Sequence, residues 1–285
     1  MSTPKVFIII LNYNGQNFLK KTLASVFQVD YPNFEIVLVD NNSKDGSFEE
    51  ARRVFPKIAC IKNSENLGFS AGNNIGIEYA LERLADYILL LNYDTTVRKN
   101  FLRPLVDLME GDEKTGISSP VIFEGESSNI WFSGGKIDWF KMKTEHKKES
   151  IKENNFQSDY IAGCAMMIKK EVFKKIGLLD EDYFLYWEDA DFSVRAKRAG
   201  YKLAVCARSQ ISHLEKSQEK KANKIYWLVL SGLIFFKKNS PTYLQPWIFF
   251  YVLLRKIKNK RDIKRQKTSF NESVQKAYRD FKKVS

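Results

Sequence analysis

The stretch VFIIILNYN, residues 6–14, decides the fold class of this 285-residue chain. Six apolar residues rich in β-branched side chains come first, and Asn12 and Asn14 then close the run. Such an uninterrupted run is typical of a parallel strand that is covered on both faces. Because the run is short and ends in asparagine, we interpret it as a buried strand and not as a signal peptide.

Three more strand-like segments follow, and a segment with helical spacing of its apolar residues separates each strand from the next. The predicted strands cover residues 34–39, 58–61 and 87–91. The predicted helices cover residues 17–26, 43–55 and 71–84. This alternation predicts an α/β fold with an open, mostly parallel central sheet flanked by helices.

Further along the chain the pattern is less regular. A polar stretch at 141–159 predicts a loop, and a strand at 160–168 is followed by a helix at 170–176. A last strand is predicted at 203–207, several residues before His213. Regular structure is thus expected to resume at Tyr160.

Polar side chains stand at the ends of all four N-terminal strands. They are Asn12 and Asn14, then Asp40, Asn41 and Asn42, then residues 63–66, and finally Asn92 and Asp94. A single Asp after a strand is commonly a turn or cap residue. Binding sites of parallel sheets lie beyond the carboxyl ends of the strands, and one crevice can collect four such ends. The series therefore favours a shared site.

The net charge of +12 comes from the C-terminal quarter of the chain. Residues 214–285 hold 18 Lys and Arg against 5 Asp and Glu, whereas residues 1–213 hold 28 against 29. A nearly neutral core with a basic, aromatic tail suggests that the tail meets an anionic surface while the core carries out the chemistry. No nucleic-acid-binding motif accompanies the basic residues, so we expect no nucleic-acid partner.

The number and spacing of the cysteines indicate the redox state of the cellular compartment in which the protein works. Cys60, Cys164 and Cys206 are odd in number and show no CxxC spacing. They indicate buried thiols in a reducing compartment, and neither a disulfide framework nor a zinc site. We therefore expect a cytoplasmic protein.

Six motifs in a fixed order resemble a family 2 glycosyltransferase of the GT-A type, and within it the rhamnosyltransferase-like branch. They are IIILNYNG at 8–15, VLVDNNSKDGS at 37–47, NLGFSAGNNIG at 66–76, LLLNYDTTV at 89–97, YIAGCAMMIKKEVF at 160–173 and LDEDYFLYWEDADFSVRAKRAGY at 179–201. The resemblance covers roughly residues 4–215, and the order and spacing of the motifs make it specific.

This resemblance implies a metal-dependent, inverting transfer of a sugar, rhamnose or another hexose. The implied donor is a dTDP- or UDP-sugar, and the implied acceptor is a hydroxyl of a polysaccharide or lipid-linked glycan. A catalytically inactive nucleotide-sugar-binding subunit at the membrane is the alternative. A sugar nucleotidyltransferase would need a Gly-rich, basic N-terminal loop, which residues 14–17 do not provide.

The resemblance assigns the metal site, a divalent Mg²⁺ or Mn²⁺, to Asp94 and His213. A buried ionised carboxylate after the apolar strand 87–91 is costly unless a cation meets it, and a divalent cation also stabilises a departing diphosphate. Asn92 stands where the family motif has its first Asp, which is a departure from that motif. A turn cap is the alternative for Asp94.

The resemblance also assigns the nucleotide pocket. Asp40 would accept the imide N–H of uracil or thymine, although an Asx turn is the alternative interpretation. The side chains expected to complete the nucleotide pocket are those of Asn12, Asn42, Asn66, Asn73 and Asn92.

The motif WEDAD supplies candidate catalytic carboxylates, because an inverting transferase needs a base for the acceptor hydroxyl. The resemblance points to Asp189 as this base with Glu188 beside it, and crowded carboxylates raise each other's pKa. Acidic residues in the first turn of a helix are the alternative. Asp191 is expected to cap the helix or to pair with Arg195 four residues later.

The tail, residues 216–285, is predicted to be a helical unit that follows a catalytic domain at 1–215. Its apolar segments at 225–236 and 246–254 are too short to span a bilayer. Together with RKIKNKRDIKR at 255–265 they fit a peripheral anchor on the anionic inner face of the cell membrane. Helices packed against the catalytic domain are the alternative.

Overall fold

Strands and helices of the N-terminal half occur in the predicted order. The computed structural model describes residues 3–214 and 222–284 of the chain. Its strands are β1 (Val6–Asn12), β2 (Phe34–Asp40), β3 (Ala59–Lys62), β4 (Tyr87–Leu91), β5 (Thr95–Val97), β6 (Thr115–Glu124), β7 (Ile130–Phe132), β8 (Gly135–Asp138), β9 (Lys143–His146), β10 (Ala165–Lys169) and β11 (Lys202–His213). Its α-helices are α1 (Leu19–Val26), α2 (Ser47–Val54), α3 (Gly68–Glu82), α4 (Leu102–Glu110), α5 (Lys170–Ile176), α6 (Glu188–Arg198), α7 (Ala222–Asn239), α8 (Gln245–Arg265) and α9 (Ser269–Val284).

A mixed sheet of nine strands forms the centre of the described part of the chain. Its order is β3-β2-β1-β4-β10-β6-β11-β5, and β7 pairs with β6. Only β10, β5 and β7 run against the other six strands. Residues 6–10 of β1 have no exposed surface, as expected for a strand covered on both faces. The predicted α/β fold with a mostly parallel sheet is confirmed.

The prediction of a loop over the whole of 141–159 was wrong. Within it, β9 pairs antiparallel with β8 to form a hairpin outside the central sheet. Asn155 forms an isolated bridge with Val205 of β11. The sequence of β9, KTEH, is polar throughout, so it carries no hydrophobic signal for a strand. Pairing with β8, rather than hydropathy, determines this strand.

Strand β11 is longer than the predicted 203–207 and ends at His213 itself. The register with β6 shifts between Cys206 and Gln210, which is a β-bulge. Within the bulge the Ser209 hydroxyl donates to the Phe101 carbonyl oxygen at 2.7 Å. Bulges often occur beside functional sites because they redirect the strand. His213 is therefore a strand residue, and not part of a loop after the strand.

Helix α3 begins at Gly68, three residues before the predicted start. The φ of Gly68 is +79°, and a Cβ there would lie 2.4 Å from the Phe184 carbonyl oxygen. The same carbonyl accepts a hydrogen bond from the Phe69 N–H at 2.7 Å. Only glycine allows this close approach, so the start of α3 is fixed against the segment that leads to α6.

Helix α7 of the tail packs against the catalytic unit, which is the second of the two predicted alternatives. Its buried apolar side chains among the described residues are Ile225, Leu230, Leu233, Ile234, Phe235 and Phe236. The rings of Trp139 and Phe235 are stacked with their centroids 5.6 Å apart. This first apolar segment of the tail is thus part of the core.

Helix α8 differs from α7 in burial, because several of its large apolar side chains are exposed. Among the described residues, no helix is both long enough and apolar enough to cross a membrane. The predicted domain boundary between residues 215 and 216 lies outside the described residues.

Candidate active site

A cavity of about 760 Å³ opens beyond the carboxyl ends of β1 and β4. This is within the size range of small-molecule sites. Six of the predicted site residues line it, namely Asn66, Asn92, Asp94, Glu188, Asp189 and His213. The other four, Asn12, Asp40, Asn42 and Asn73, do not reach its wall. The structure therefore brings the predicted metal and catalytic residues into one cavity, and only part of the predicted nucleotide pocket.

Asp94 is held by the turn that joins β4 to β5. The Thr22 hydroxyl of α1 lies within hydrogen-bonding distance of two carbonyl oxygens around this turn, those of Tyr93 at 2.5 Å and Thr95 at 2.7 Å. Thr95 also donates its hydroxyl to the Asn92 carbonyl oxygen at 2.8 Å. A buried threonine with these partners fixes the turn, and with it the carboxylate of Asp94.

His213 meets Asp94 because β11 pairs antiparallel with β5, with His213 opposite Thr95. The Nε2 atom of His213 lies 3.1 Å from Oδ2 of Asp94, and both side chains are buried. Among the described residues, Oδ1 of Asp94 and Nδ1 of His213 have no hydrogen-bond partner. Buried polar atoms are nearly always satisfied, so these two atoms indicate a ligand.

The donor set of this pair suits a divalent cation. Among the described side chains no group of three or more His, Cys, Asp or Glu is placed to hold a metal ion, so Asp94 and His213 are the two ligands of these types that this site offers. Mg²⁺ and Mn²⁺ sites of this kind are completed by water and by substrate phosphates. The residues present therefore fit a metal that binds together with a diphosphate.

Glu188 and Asp189 open helix α6 and line the same cavity. Trp187 precedes them with φ +72°, and the Asp189 carboxylate accepts hydrogen bonds from the N–H groups of Gly163 at 2.9 Å and Ala190 at 2.7 Å. The dipole at the N-terminus of a helix also favours a carboxylate there. These contacts favour the ionised form of the Asp189 carboxylate and hold it in the wall of the cavity.

Burial is the main influence on the protonation of this pair. It raises the pKa of Glu188 well above its ordinary range, and the charge of Asp189 raises it further. Burial also raises the pKa of Asp189, although the N–H groups of Gly163 and Ala190 oppose the shift. Oε2 of Glu188 has no partner among the described residues. A raised pKa makes Asp189 a stronger base than an ordinary aspartate.

Asp191 does not line the cavity. Arg195 donates from Nε to Asp191 Oδ2 at 2.7 Å, and Asn239 of α7 donates to Oδ1 at 2.7 Å. The predicted pairing of Asp191 with Arg195 is confirmed. Asp191 is therefore a structural link between α6 and α7.

Asn12 and Asp40 form a buried network behind the cavity. The Asn12 amide lies 2.8 Å from Asp40 Oδ1, and Ser43 donates both its N–H and its hydroxyl to the Asp40 carboxylate. Neither Asn12 nor Asp40 has exposed surface. The Ser43 N–H is three residues after Asp40, one residue further than an Asx turn reaches, and α2 begins only at Ser47. The nucleobase contact of Asp40 stays a prediction.

The remaining asparagines have local partners. Asn66 accepts from the Gly68 N–H at 3.0 Å and lines the cavity, whereas Asn73 donates to the Phe69 carbonyl oxygen within α3. Asn42, at φ +61°, donates to the Ser64 carbonyl oxygen at 2.5 Å. Of these three, only Asn66 stands where a bound molecule would touch it.

Sequence reasoning missed two side chains, His146 and Tyr160, of the cavity wall near the β8–β9 hairpin. Trp131, His146 and Tyr160 line the cavity there, and the Trp131 ring centroid lies 4.4 Å from that of His146 and 4.8 Å from that of His213. Burial lowers the pKa of His146 to about 4, so this imidazole is neutral at neutral pH. A histidine in a polar stretch carries no sequence signal, and only the hairpin places it here.

Comparisons with known proteins show what this chain is similar to. A model of the family described as Glycosyl transferase family 2 matches residues 7–177. The chain is 28% identical over 236 residues to the low-salt glycan biosynthesis hexosyltransferase Agl10 of Haloferax volcanii, an alignment that covers 78% of this chain and 71% of Agl10. It is 26% identical over 197 residues to the dTDP-rhamnosyl transferase RfbF of Shigella flexneri, which covers 68% of this chain and 64% of RfbF.

A solved structure of GalNAc-T7 with UDP, GalNAc and Mn²⁺ superposes with a TM-score of 0.68 at 19% identity. The superposition covers 83% of this chain and 48% of that chain. At this identity the likeness concerns the fold alone, and it confirms the expected GT-A fold. The chain spans about half the length of GalNAc-T7 and 64% of RfbF.

We expect Glu188→Gln to flatten the pH dependence of stability. Because the folded-state pKa of Glu188 is raised, its contribution to stability is present below its ordinary pKa and is lost as the pH rises through the folded-state value. The variant cannot ionise, so its melting temperature should fall less than that of the wild type between acidic and neutral pH. Differential scanning fluorimetry across this range measures the effect.

The matched control is Glu171→Gln, an exposed glutamate in the first turn of α5. It should follow the wild-type curve. A Glu188→Gln curve that runs parallel to the wild type would contradict the burial argument.

Proposed function

Because the chain belongs to glycosyl transferase family 2, and is similar to its rhamnosyltransferase-like branch, we propose that it transfers rhamnose or another hexose with inversion. The proposed donor is a dTDP- or UDP-sugar, and the proposed acceptor is a hydroxyl of a polysaccharide or lipid-linked glycan. One observation carries the proposal: the Asp94–His213 pair and the Asp189 carboxylate face the same cavity.

In this proposal Asp94 and His213 hold the divalent cation, Mg²⁺ or Mn²⁺. When bound, such a cation neutralises the charge that develops on the departing nucleotide diphosphate. The unpartnered Oδ1 of Asp94 supports this role. The names of RfbF, a dTDP-rhamnosyl transferase, and of GalNAc-T7 with UDP and Mn²⁺ support the class of donor and metal.

Asp189 is the proposed general base. The acceptor oxygen forms a bond to the anomeric carbon of the donor sugar while the bond from that carbon to the diphosphate oxygen breaks. The acceptor hydroxyl proton passes to the Asp189 carboxylate, and the nucleotide diphosphate leaves. The N–H groups of Gly163 and Ala190 keep the carboxylate in place, and the adjacent Glu188 tends to retain a proton and stay neutral.

The two ends of the cavity suit the two substrates. Tyr13, Asn14 and Asn66 stand at the end near β1, where we place the nucleotide, with the buried Asn12–Asp40 network behind them. Trp131 and Tyr160 stand near the β8–β9 hairpin, where we place the acceptor, because aromatic rings pack well against the apolar faces of sugars.

An inactive nucleotide-sugar-binding subunit is the second candidate function. The observation that favours it is Asn92, which lines the cavity in place of a carboxylate. The intact Asp94 and Asp189 favour the enzyme, and their variants separate the two candidates.

Asp94→Ala should abolish tight Mn²⁺ binding in the presence of UDP or dTDP, because it removes one of two protein ligands. Transfer should fall by at least about a hundredfold, the usual loss when charge stabilisation of a leaving group is removed. Isothermal titration calorimetry with Mn²⁺ would measure the binding, and transfer assays with a panel of nucleotide-sugars would measure the rate. The control is Asp107→Asn, a carboxylate exposed on α4 and paired with Arg103. Unchanged Mn²⁺ affinity in Asp94→Ala would remove this residue from the metal site.

Asp189→Asn should keep donor binding and lose about 10²- to 10⁴-fold in transfer rate, because the amide cannot accept the proton. Donor affinity from titration and turnover from nucleotide release would be compared in the same preparation. Donor binding without transfer in the wild type itself would instead favour the inactive subunit. If Asp189→Asn retains transfer, another group is the base.

We also propose that the protein works at the cytoplasmic face of the membrane, with α8 as the surface that contacts lipid. One face of α8 exposes Phe249, Phe250, Leu253, Leu254 and Ile257, each by 40% or more. In its last two turns the same face carries Lys260, Arg261 and Lys264, all exposed. Exposed apolar side chains followed by cations are typical of helices that lie in the interface of an anionic bilayer.

The variant Phe249→Ser with Leu253→Ser should reduce flotation with anionic liposomes by about tenfold or more, because each apolar side chain contributes roughly 1.5–3 kcal/mol when it leaves water. The control Leu84→Ser removes an apolar side chain that is 81% exposed elsewhere on the surface, and it should float like the wild type. If the double variant floats as well as Leu84→Ser does, the proposed membrane role of α8 is wrong.

A further inference from the structure

We propose that helix α7 of the tail is a positioning element of the active site, which holds the strained turn before α6 so that Asp189 faces the acceptor. This inference rests on the proposed role of Asp189 as the base. It concerns residues of α7 that do not line the cavity, above all Ser231 and Gly232.

The turn before α6 has an unusual backbone. Tyr186 and Trp187 have φ values of +68° and +72°, in the left-handed region that bulky residues rarely adopt. Two such residues in succession persist only where the surrounding structure fixes them. They directly precede Glu188 and Asp189, so any relaxation of this turn would rotate the first turn of α6 and move both carboxylates.

Three contacts from α7 fix this turn. The Ser231 hydroxyl donates to the Leu185 carbonyl oxygen at 2.8 Å. The indole N–H of Trp187 donates to the Leu228 carbonyl oxygen at 3.0 Å. Gly232 leaves room for the indole, because a Cβ at this position would lie 3.1 Å from the Trp187 Nε1 atom. Helix α7 thus supplies both the hydrogen bonds and the space that this conformation requires.

The other end of α7 holds the body of α6. Asn239 donates its amide to Asp191 Oδ1 at 2.7 Å, and its carbonyl and side-chain oxygens face the Arg198 guanidinium. The ring of Trp187 also packs on Phe235, with centroids 5.0 Å apart. Since α7 contacts α6 at both ends, a displacement of the tail is transmitted to the catalytic carboxylates.

The test uses the full chain with Ser231→Ala and Gly232→Ala. Both variants should lower kcat for transfer by about ten- to a hundredfold, the effect of displacing a catalytic group by less than about 1 Å. KM for the donor and the affinity for Mn²⁺ should not change, because Asp94 and His213 lie on other elements. Alanine favours a helix over glycine, so Gly232→Ala should lose activity without losing thermal stability. If Gly232 had a purely structural role, Gly232→Ala would instead lose thermal stability and keep its activity.

The controls leave the turn untouched. Ser240→Ala removes a hydroxyl directly after the end of α7 that likewise donates to a backbone carbonyl, that of Phe236. Trp139→Phe trims the other tryptophan that packs on Phe235 and Phe236. Both controls should keep the wild-type kcat.

Titration of the Asp and Glu side-chain carboxyls by ¹³C NMR gives a readout that needs no substrate. In Ser231→Ala and Gly232→Ala the signals of Glu188 and Asp189 should titrate at a pH different from that in the wild type, whereas the two controls should match the wild type. Unchanged titration together with a kcat within about twofold of the wild type would overturn the proposal. A shifted titration in a chain that transfers no sugar would support the positioning role while the proposed function fails.

Discussion

The antiparallel pairing of β5 with the end of β11 is the interaction on which this site depends. It places His213 beside Asp94, although the two residues are far apart in the chain. The pairing is possible because a bulge after Cys206 lets β11 continue past its expected end. Without it the Asp94 carboxylate would be buried at the end of an apolar strand with no imidazole beside it, which is costly.

The other buried carboxylates of the site are each stabilised in a different way. Asp189 accepts two backbone N–H groups, Asp191 has Arg195 and Asn239, and Glu188 has a raised pKa that favours its neutral form. These differences in surroundings distinguish three neighbouring acidic residues, namely the proposed base Asp189, the structural link Asp191 and the neutral Glu188. The chemistry therefore follows from local surroundings as much as from residue type.

The tail contains two kinds of helix. Helix α7 buries an aromatic face against Trp139 and Trp187 and belongs to the core of the fold. Helix α8 leaves Phe249 and Phe250 exposed next to a basic segment. A tail that reaches both the active-site turn and the proposed membrane surface offers a route by which binding at a bilayer would influence transfer.

The sequence by itself determined the α/β class, the polar ends of the strands and the acidic start of α6, because these depend on local runs and on spacing. Through the resemblance of its motifs it also proposed Asp94, His213 and Asp189 as site residues, and the structure brings these three side chains to one cavity. Only the tertiary structure decided that His213 contacts Asp94, that His146 lines the cavity and that Asp40 is enclosed by Asn12 and Ser43. The physical reason is that pairing between distant strands and burial of polar groups depend on long-range contacts, which leave no periodic signal in the chain.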